Sequence, residues 1–319
     1  VVSTACTRAP RAAEVPAPAA GPAPSAARAP TARPTRTPLA RTYKTAAGAP
    51  LAAHVFRPSD RIAGRPDAAI VVFHGGGWHV GQPEWMFDAA QRFAARGLVA
   101  VVVQYRLADP ERRSSTPLDA MADARDAIRW VRAHASEFGA DPARVAAYGA
   151  SAGGHLAAAA ALIGDSAAGG GAGLAAAAPD AMVLLSPAVA VAGDGWFRRL
   201  VGGPVAAEAA SPDAHVRAGA RLPPTLILAG AQDSITPPGG ARRYCDRVRA
   251  AGGRCELQVY PGLGHLLTRA LAFRAQESGP FDPDPAAVAD AEARTDRFLA
   301  DLGYSRAPAT FRASGATTP

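Results

Sequence analysis

"VAAYGASAGGHLAAAAAL" runs from Val145 to Leu162, and its reading decides the fold. The first half is strand-like, the second half is an alanine-rich, helix-like run, and Ser151 stands at the junction between Gly149 and Gly153. A buried hydroxyl without a partner costs about 1–3 kcal/mol, so the serine has a task. It is either a helix cap or a nucleophile held out by a sharp bend. "GASAG" has the form G-x-S-x-G with a strand before it and a helix after it. In such an elbow the serine backbone is strained, and glycines two residues to either side relieve collisions among turn, strand and helix. A chain rich in alanine and glycine produces the pattern by chance, so the motif alone leaves both readings open. Its position between the two elements favours the nucleophile.

Upstream, "FHGGGW" (Phe73 to Trp78) places three glycines after a strong apolar run. Successive glycines let backbone amides turn inward with no Cβ in the way. Amides so turned can face the anionic oxygen of a tetrahedral intermediate, and the candidate donors are Gly76, Gly77 and Ala152. His74 is expected to hold the glycine loop by hydrogen bonding. An alcohol becomes a nucleophile when a histidine takes its proton and a carboxylate orients that histidine. Asp233 follows the "TLILAG" run, and His265 follows "LQVYPGLG". The chain order Ser151, Asp233, His265 is the one this architecture uses. Of the other histidines, His79 is near enough to the glycine loop to line a pocket, and His155 is expected to pack or cap within the helix after Ser151.

These motifs lie in a regular alternation. Apolar, β-branched runs at Ala69–Phe73 and Val101–Gln104 are nearly continuous, as in strands covered on both faces. "RVAAYGAS", "AMVLLSP", "PTLILAGAQD" and "CELQVYPGLGH" read as further strands. Helices are expected from Leu118 to Phe138, from Gly153 to about Ile163, over "GGARRYCDRVRAAGG" and over "AAVADAEARTDRFLADLG". The alternation implies an α/β fold whose mostly parallel central sheet carries helices on both faces. Residues 187–222 and 266–285 exceed ordinary connection lengths, which marks them as functional loops or small covering elements. Within the first of these, Trp196 and Phe197 are candidates to cover the pocket, and Trp78 is a candidate wall beside the glycine loop.

Composition narrows the partners. The chain has 319 residues and a formal charge of +7, of which +6 falls within residues 1–44. The remainder is close to neutral and shows no concentrated basic patch, so nucleic acid is not an expected partner. Residues 1–42 mix proline, alanine and arginine, which reads as a disordered tail or an export remnant. Residues 43–304 read as the catalytic domain and 305–319 as a flexible end. No run of about 18 non-polar residues is free of turn formers, so no integral membrane segment is expected. The spacing of Cys245 and Cys255 permits a disulfide but does not fix the Cα separation it requires. Tail and cysteine pair together lean toward an extracytoplasmic or secreted location. The two acids of "FDPDP" (Phe281 to Pro285) read as a solvated turn, since calcium takes about six to eight oxygens.

"HGGGW", "YRLADPE", "GASAGGHLA", "AGAQDSITP" and "YPGLGH" together resemble the α/β-hydrolases of the hormone-sensitive-lipase-like esterase group. They are more similar still to its compact bacterial acetyl-esterase and feruloyl-esterase-like branch. The resemblance covers about residues 45–302 and implies Ser151 as nucleophile, His265 as base, Asp233 as its partner, and Gly76, Gly77 and Ala152 as the oxyanion hole. Ala150 stands where that group commonly has aspartate, "YRLADPE" replaces its YRLAPE, and residues 1–42 look unable to build its usual helical cap. These departures leave the serine mechanism intact and weaken any expectation of a lipase-like acyl channel.

The activity implied is hydrolysis of small or medium acyl esters through an acyl-enzyme, with no metal or organic cofactor. The implied partner is a small-molecule ester or an acylated sugar, and the motifs do not set an oligomeric state. Two alternatives remain: an arylformamidase-like amide hydrolase, and a non-catalytic ligand-binding protein of the same fold, which would ordinarily lack a member of the triad.

Overall fold

The computed structural model describes residues 37–60, 64–164, 177–278 and 281–305. Its sheet has eight strands: β1 (Leu39–Ala46), β2 (Ala49–Phe56), β3 (Asp67–Phe73), β4 (Val99–Val103), β5 (Ala140–Ala150), β6 (Ala181–Leu185), β7 (Thr225–Gly230) and β8 (Cys255–Tyr260). They lie in the order β1-β2-β4-β3-β5-β6-β7-β8. β1 and β2 pair antiparallel, as do β2 and β4, and every pairing from β4 onward is parallel. The mostly parallel α/β architecture read from the alternation is therefore the one formed.

Both faces of the sheet are covered, and this is why its central strands are apolar without alternation. Val71, Val101 and Ala147 face a core shared with Ile128 and Val131 of helix α2 (Pro117–Ala133). Ile70, Val72 and Val102 face a second core containing Phe93 of helix α1 (Phe87–Ala95), and Phe298 and Leu299 of the C-terminal helix Pro285–Asp301. Neighbours on one strand thus point into different cores. The start of α2 follows from sequence: Pro117 occupies the first turn and Asp119 accepts the Thr116 N–H at 2.8 Å. The single helix expected over Leu118–Phe138 breaks at His134, and a short helix α3 (Ala135–Phe138) ends at Gly139 with φ 72°.

The β1–β2 hairpin was not anticipated. It turns on Ala47 (φ 49°) and Gly48 (φ 79°), the two positive values a tight primed turn demands. Half of β1 is exposed and only Tyr43 and Ala46 are buried, so its apolar contrast is faint. Lys44 joins the hairpin to α2 through Asp123 at 2.7 Å and Asp126 at 2.6 Å. The folded chain accordingly begins by Leu39, ahead of the tail boundary at residue 42. The remainder of the expected N-terminal tail, residues 1–36, lies outside the described residues, as does 306–319 of the C-terminal end.

Helix α4 (Ala152–Leu162) is buried along all of its 11 residues. The excursion at 187–222 forms two short helices, α5 (Gly195–Val201) and α6 (Pro204–Ala209). Helix α7 (Pro238–Ala250) packs against β8 and is tied to it by the Cys245–Cys255 disulfide, whose Cα atoms are 5.2 Å apart. The second excursion carries α8 (Phe273–Ser278), and α9 is the helix Pro285–Asp301. Because the parallel strands share a direction, the segments after β3, β5, β7 and β8 emerge at one edge, where open α/β sheets hold ligands.

Closing a loop with a sequence separation of 10 restricts the unfolded chain by about 2–3 kcal/mol. Replacing Cys245 and Cys255 by alanine is expected to lower the urea-unfolding free energy by about that amount; an unchanged midpoint would contradict the bridge's stabilising role.

Candidate active site

Ser151 has φ 54° and ψ −118°, a conformation that costs about 1–3 kcal/mol for a residue with a side chain. The surroundings hold it there. Its N–H donates to the Leu185 carbonyl at 2.9 Å, and its own carbonyl accepts the His155 N–H at 3.1 Å. A Cβ on Gly149 would lie 2.2 Å from the Gly153 carbonyl oxygen, and one on Gly153 would lie 2.2 Å from that of Phe73. Strand, turn and helix are therefore closer than any side chain allows. Ser151 stands at the N-cap of α4, yet its hydroxyl caps nothing. Instead Oγ lies 3.0 Å from His265 Nε2.

His265 Nδ1 is 2.9 Å from Asp233 Oδ2. An ionised carboxylate only accepts, so Nδ1 carries the proton and Nε2 offers its lone pair to the serine O–H. Asp233 is 4% exposed and well supplied with donors: Oδ1 accepts the Ile235 N–H at 3.0 Å and the Thr236 N–H at 2.8 Å. The Thr236 hydroxyl lies 2.9 Å from both Asp233 Oδ2 and the Ser186 carbonyl. Ser186 Oγ in turn accepts the Leu266 N–H at 3.1 Å. Thr236 and Ser186 were missed by sequence reading. The signal for Thr236 was its place three residues after an acid that must be oriented; Ser186 carried none.

Gly75, Gly76 and Gly77 follow β3 directly. A Cβ on Gly75 would sit 3.3 Å from Ser151 Cβ, so the glycine loop lies against the serine. Gly76 has φ +114°, and its carbonyl accepts the Val80 N–H at 3.0 Å, closing the loop on itself. Among the described residues, the Gly76 and Gly77 N–H groups donate to no backbone acceptor. The Ala152 N–H opens a helix and has no partner within it. His74 does hold the loop: Nδ1 lies 2.6 Å from the Gly75 carbonyl, and Tyr105, stacked on the imidazole, donates its hydroxyl to the His74 carbonyl at 2.9 Å. Burial holds the His74 imidazole below its ordinary pKa.

The expected aromatic walls divide. Trp78 is 4% exposed and Phe197 0%, and both pack in the core cluster. The cause is His155. Its Nδ1 accepts the Trp78 indole N–H at 3.1 Å, drawing the ring inward, and its Nε2–H donates to the Ala210 carbonyl at 2.8 Å. Phe197 packs against both rings. Burial lowers the His155 pKa to about 4, so this imidazole stays neutral and joins α4, the glycine loop and the end of α6. Trp196 is half-buried at the glycine loop, donating its indole N–H to the Gly77 carbonyl at 3.2 Å, with His79 edge-on to its ring. Of "FDPDP", Asp282 pairs with Arg269 at 2.7 Å and Asp284 caps α9 through the Ala287 N–H at 2.9 Å.

Residues 70–269 match the family described as the alpha/beta hydrolase fold, and the chain belongs to that family. Among solved structures it is similar to esterase 2 of Thermogutta terrifontis. The form phosphoramylated by tabun superposes with a TM-score of 0.72 at 32% identity, over 86% of this chain and 98% of that one. The propionate-bound form gives 0.71 at 31% identity over the same shares. Carboxylesterase NlhH of Mycobacterium tuberculosis is 42% identical over 90 residues, 28% of this chain and 27% of that protein. The probable carboxylic ester hydrolase LipM of the same organism is 31% identical over 214 residues, 58% of this chain and 47% of that protein. The match thus spans less than half the length of either curated relative.

Gly153→Ala is expected to cost about 3 kcal/mol or more, because a carbonyl occupies the space of the new methyl. Gly262→Ala, with φ +73° but open space, should cost about 1–2 kcal/mol; equal losses in urea unfolding would refute the close approach.

His155 titrates near 6.5 when unfolded and about 4 when folded. Between those values the unfolded chain holds the extra proton, so stability falls as pH drops through the window and the loss is complete below it. Burial acts in the same direction on His74 and His54. His155→Gln should flatten, without abolishing, the decline in unfolding free energy from pH 7 to 4. The difference should be on the order of 3 kcal/mol, and an unaltered slope would exclude a neutral buried imidazole.

Proposed function

We propose that this protein is a serine carboxylic-ester hydrolase for small and medium acyl esters. The observation that carries the reading is the unbroken chain from Ser151 Oγ through His265 to Asp233, beside amides that donate to no backbone acceptor among the described residues. Ser151 attacks the ester carbonyl while His265 Nε2 takes its proton. Asp233 holds the imidazole in the required tautomer and stabilises the imidazolium. The Gly76, Gly77 and Ala152 amides meet the developing oxyanion, where one comparable donor is worth about 2.7–4 kcal/mol elsewhere. The imidazolium then protonates the leaving alcohol, and the same base activates water to release the acid and free the serine. This sequence calls on no metal or organic cofactor.

A short acyl group is supported by the propionate and butyrate bound in the Thermogutta terrifontis structures. A covalent serine adduct is in keeping with the tabun-modified form of that enzyme. Acetylated sugars fit the same chemistry, with the sugar as leaving alcohol. Trp196 and His79, set at the Gly77 side of the loop, are the side chains we assign to contact the substrate.

Turnover of p-nitrophenyl esters from acetate to long acyl chains, acetylated sugars, feruloyl esters and N-formylkynurenine tests the reading. Acetate to butyrate should be hydrolysed fastest, and Ser151→Ala should lose at least about 1,000-fold in kcat along with labelling by a fluorophosphonate. A marked preference for N-formylkynurenine would replace the esterase by a formamide hydrolase. Ser151-independent turnover would remove the mechanism.

A further inference from the structure

Gln276 is 0% exposed, an unusual state for a glutamine. It comes from α8, a short helix of the second excursion whose neighbouring Phe273 is 54% exposed. Both ends of its amide are engaged. Oε1 accepts the Ser234 N–H at 3.0 Å, the Ser234 O–H at 3.1 Å and the His265 N–H at 3.1 Å. Nε2 donates to the Leu271 carbonyl at 2.8 Å and to that of Gln232 at 3.3 Å. Donors converge on one end and carbonyls on the other, so only one orientation of the amide satisfies them.

What this amide joins is the acid turn and the histidine turn. β7 and β8 pair as far as Gly230 and Tyr260, and backbone bonds then link Ala231 to Tyr260 and Gln232 to Leu263. Past those, the two turns are joined through side chains: Gln276, Thr236 and the Asp233–His265 pair itself. The fit is close, since a Cβ on Gly264 would lie 2.6 Å from Gln276 Cδ. Gly264 is glycine for want of space beside this side chain rather than for mobility.

We propose that Gln276 is a positioning residue of the site, clamping the backbone of His265 to that of Ser234 so that one imidazole reaches both Asp233 and Ser151. The excursion at 266–285 then supplies an internal part of the apparatus as well as a cover. The kinetic consequence rests on the esterase reading; the structural consequence does not. Gln276 has no accessible surface and does not touch substrate, so its loss acts on kcat and leaves KM. Misplacing a catalytic group by about 1 Å costs about 100-fold.

Hydrogen exchange and p-nitrophenyl acetate kinetics on wild type and Gln276→Leu test the proposal. The His265 and Ser234 amides should be protected in wild type and exchange at least about tenfold faster in the variant, while β7 and β8 amides keep their rates. In the variant kcat should fall about 10–100-fold with KM within about threefold. The proposal is overturned by unprotected His265 and Ser234 amides in wild type. It is equally overturned by acceleration spread over β7 and β8, or by a variant kcat within about twofold of wild type. If wild type hydrolyses no ester, the esterase reading falls and the exchange comparison alone decides for or against Gln276. If the leucine variant does not fold, Gln276→Met removes the same bonds on a more flexible stem, and the wild-type protection already decides.

Discussion

A carbonyl oxygen of Phe73 occupies the place where residue 153 would carry a Cβ, and a carbonyl of Gly153 does the same to residue 149. The rest of the site depends on this contact of bare backbones. It lets α4 start at the end of β5 with no spacer, which forces Ser151 into its strained conformation and aims Oγ away from the helix it begins. It also brings the end of β3, and with it the glycine loop, against the serine. One steric condition thus sets the proposed nucleophile and the proposed oxyanion donors together. The strain is held by Leu185, Ala188 and His155, which bond the serine backbone from the neighbouring strand, the next loop and the helix.

Two histidines near this elbow have opposite fates for physical reasons. His265 faces a carboxylate on one nitrogen and a hydroxyl on the other. His155 faces an indole N–H and a carbonyl, which suit only the neutral ring, and burial penalises its charge. The first is the base of the proposed mechanism, and the second stays neutral throughout it. Its cost to the expected pocket is that Trp78 turns inward, leaving Trp196 as the aromatic ring at the loop.

Much of this was legible in the chain. Glycines at 149, 153 and 75–77, with an acid and a histidine after the appropriate strands, could be read because each obeys a local rule that leaves few substitutes. Continuous β-branched runs gave away strands buried on both sides. The β1–β2 hairpin escaped because it is alanine-rich and half of its edge strand β1 is exposed, and a half-solvated edge strand leaves little hydropathic trace. The burial of Trp78 and Phe197 was not legible, because an aromatic residue beside a site has the same sequence signature whether its ring points in or out. Thr236 and Ser186 act through one or two hydrogen bonds set by tertiary approach, which leaves no periodic mark at all.

Ser151 and His265 are 114 residues apart in the chain. A growing polypeptide that has left the ribosome only as far as β7 carries the elbow and the glycine loop but lacks any imidazole for the serine. On the proposed mechanism such a piece has no base for its serine, and the same holds for a product cut short before His265. Competence on that mechanism requires the closing strand and the turn after it to be in place.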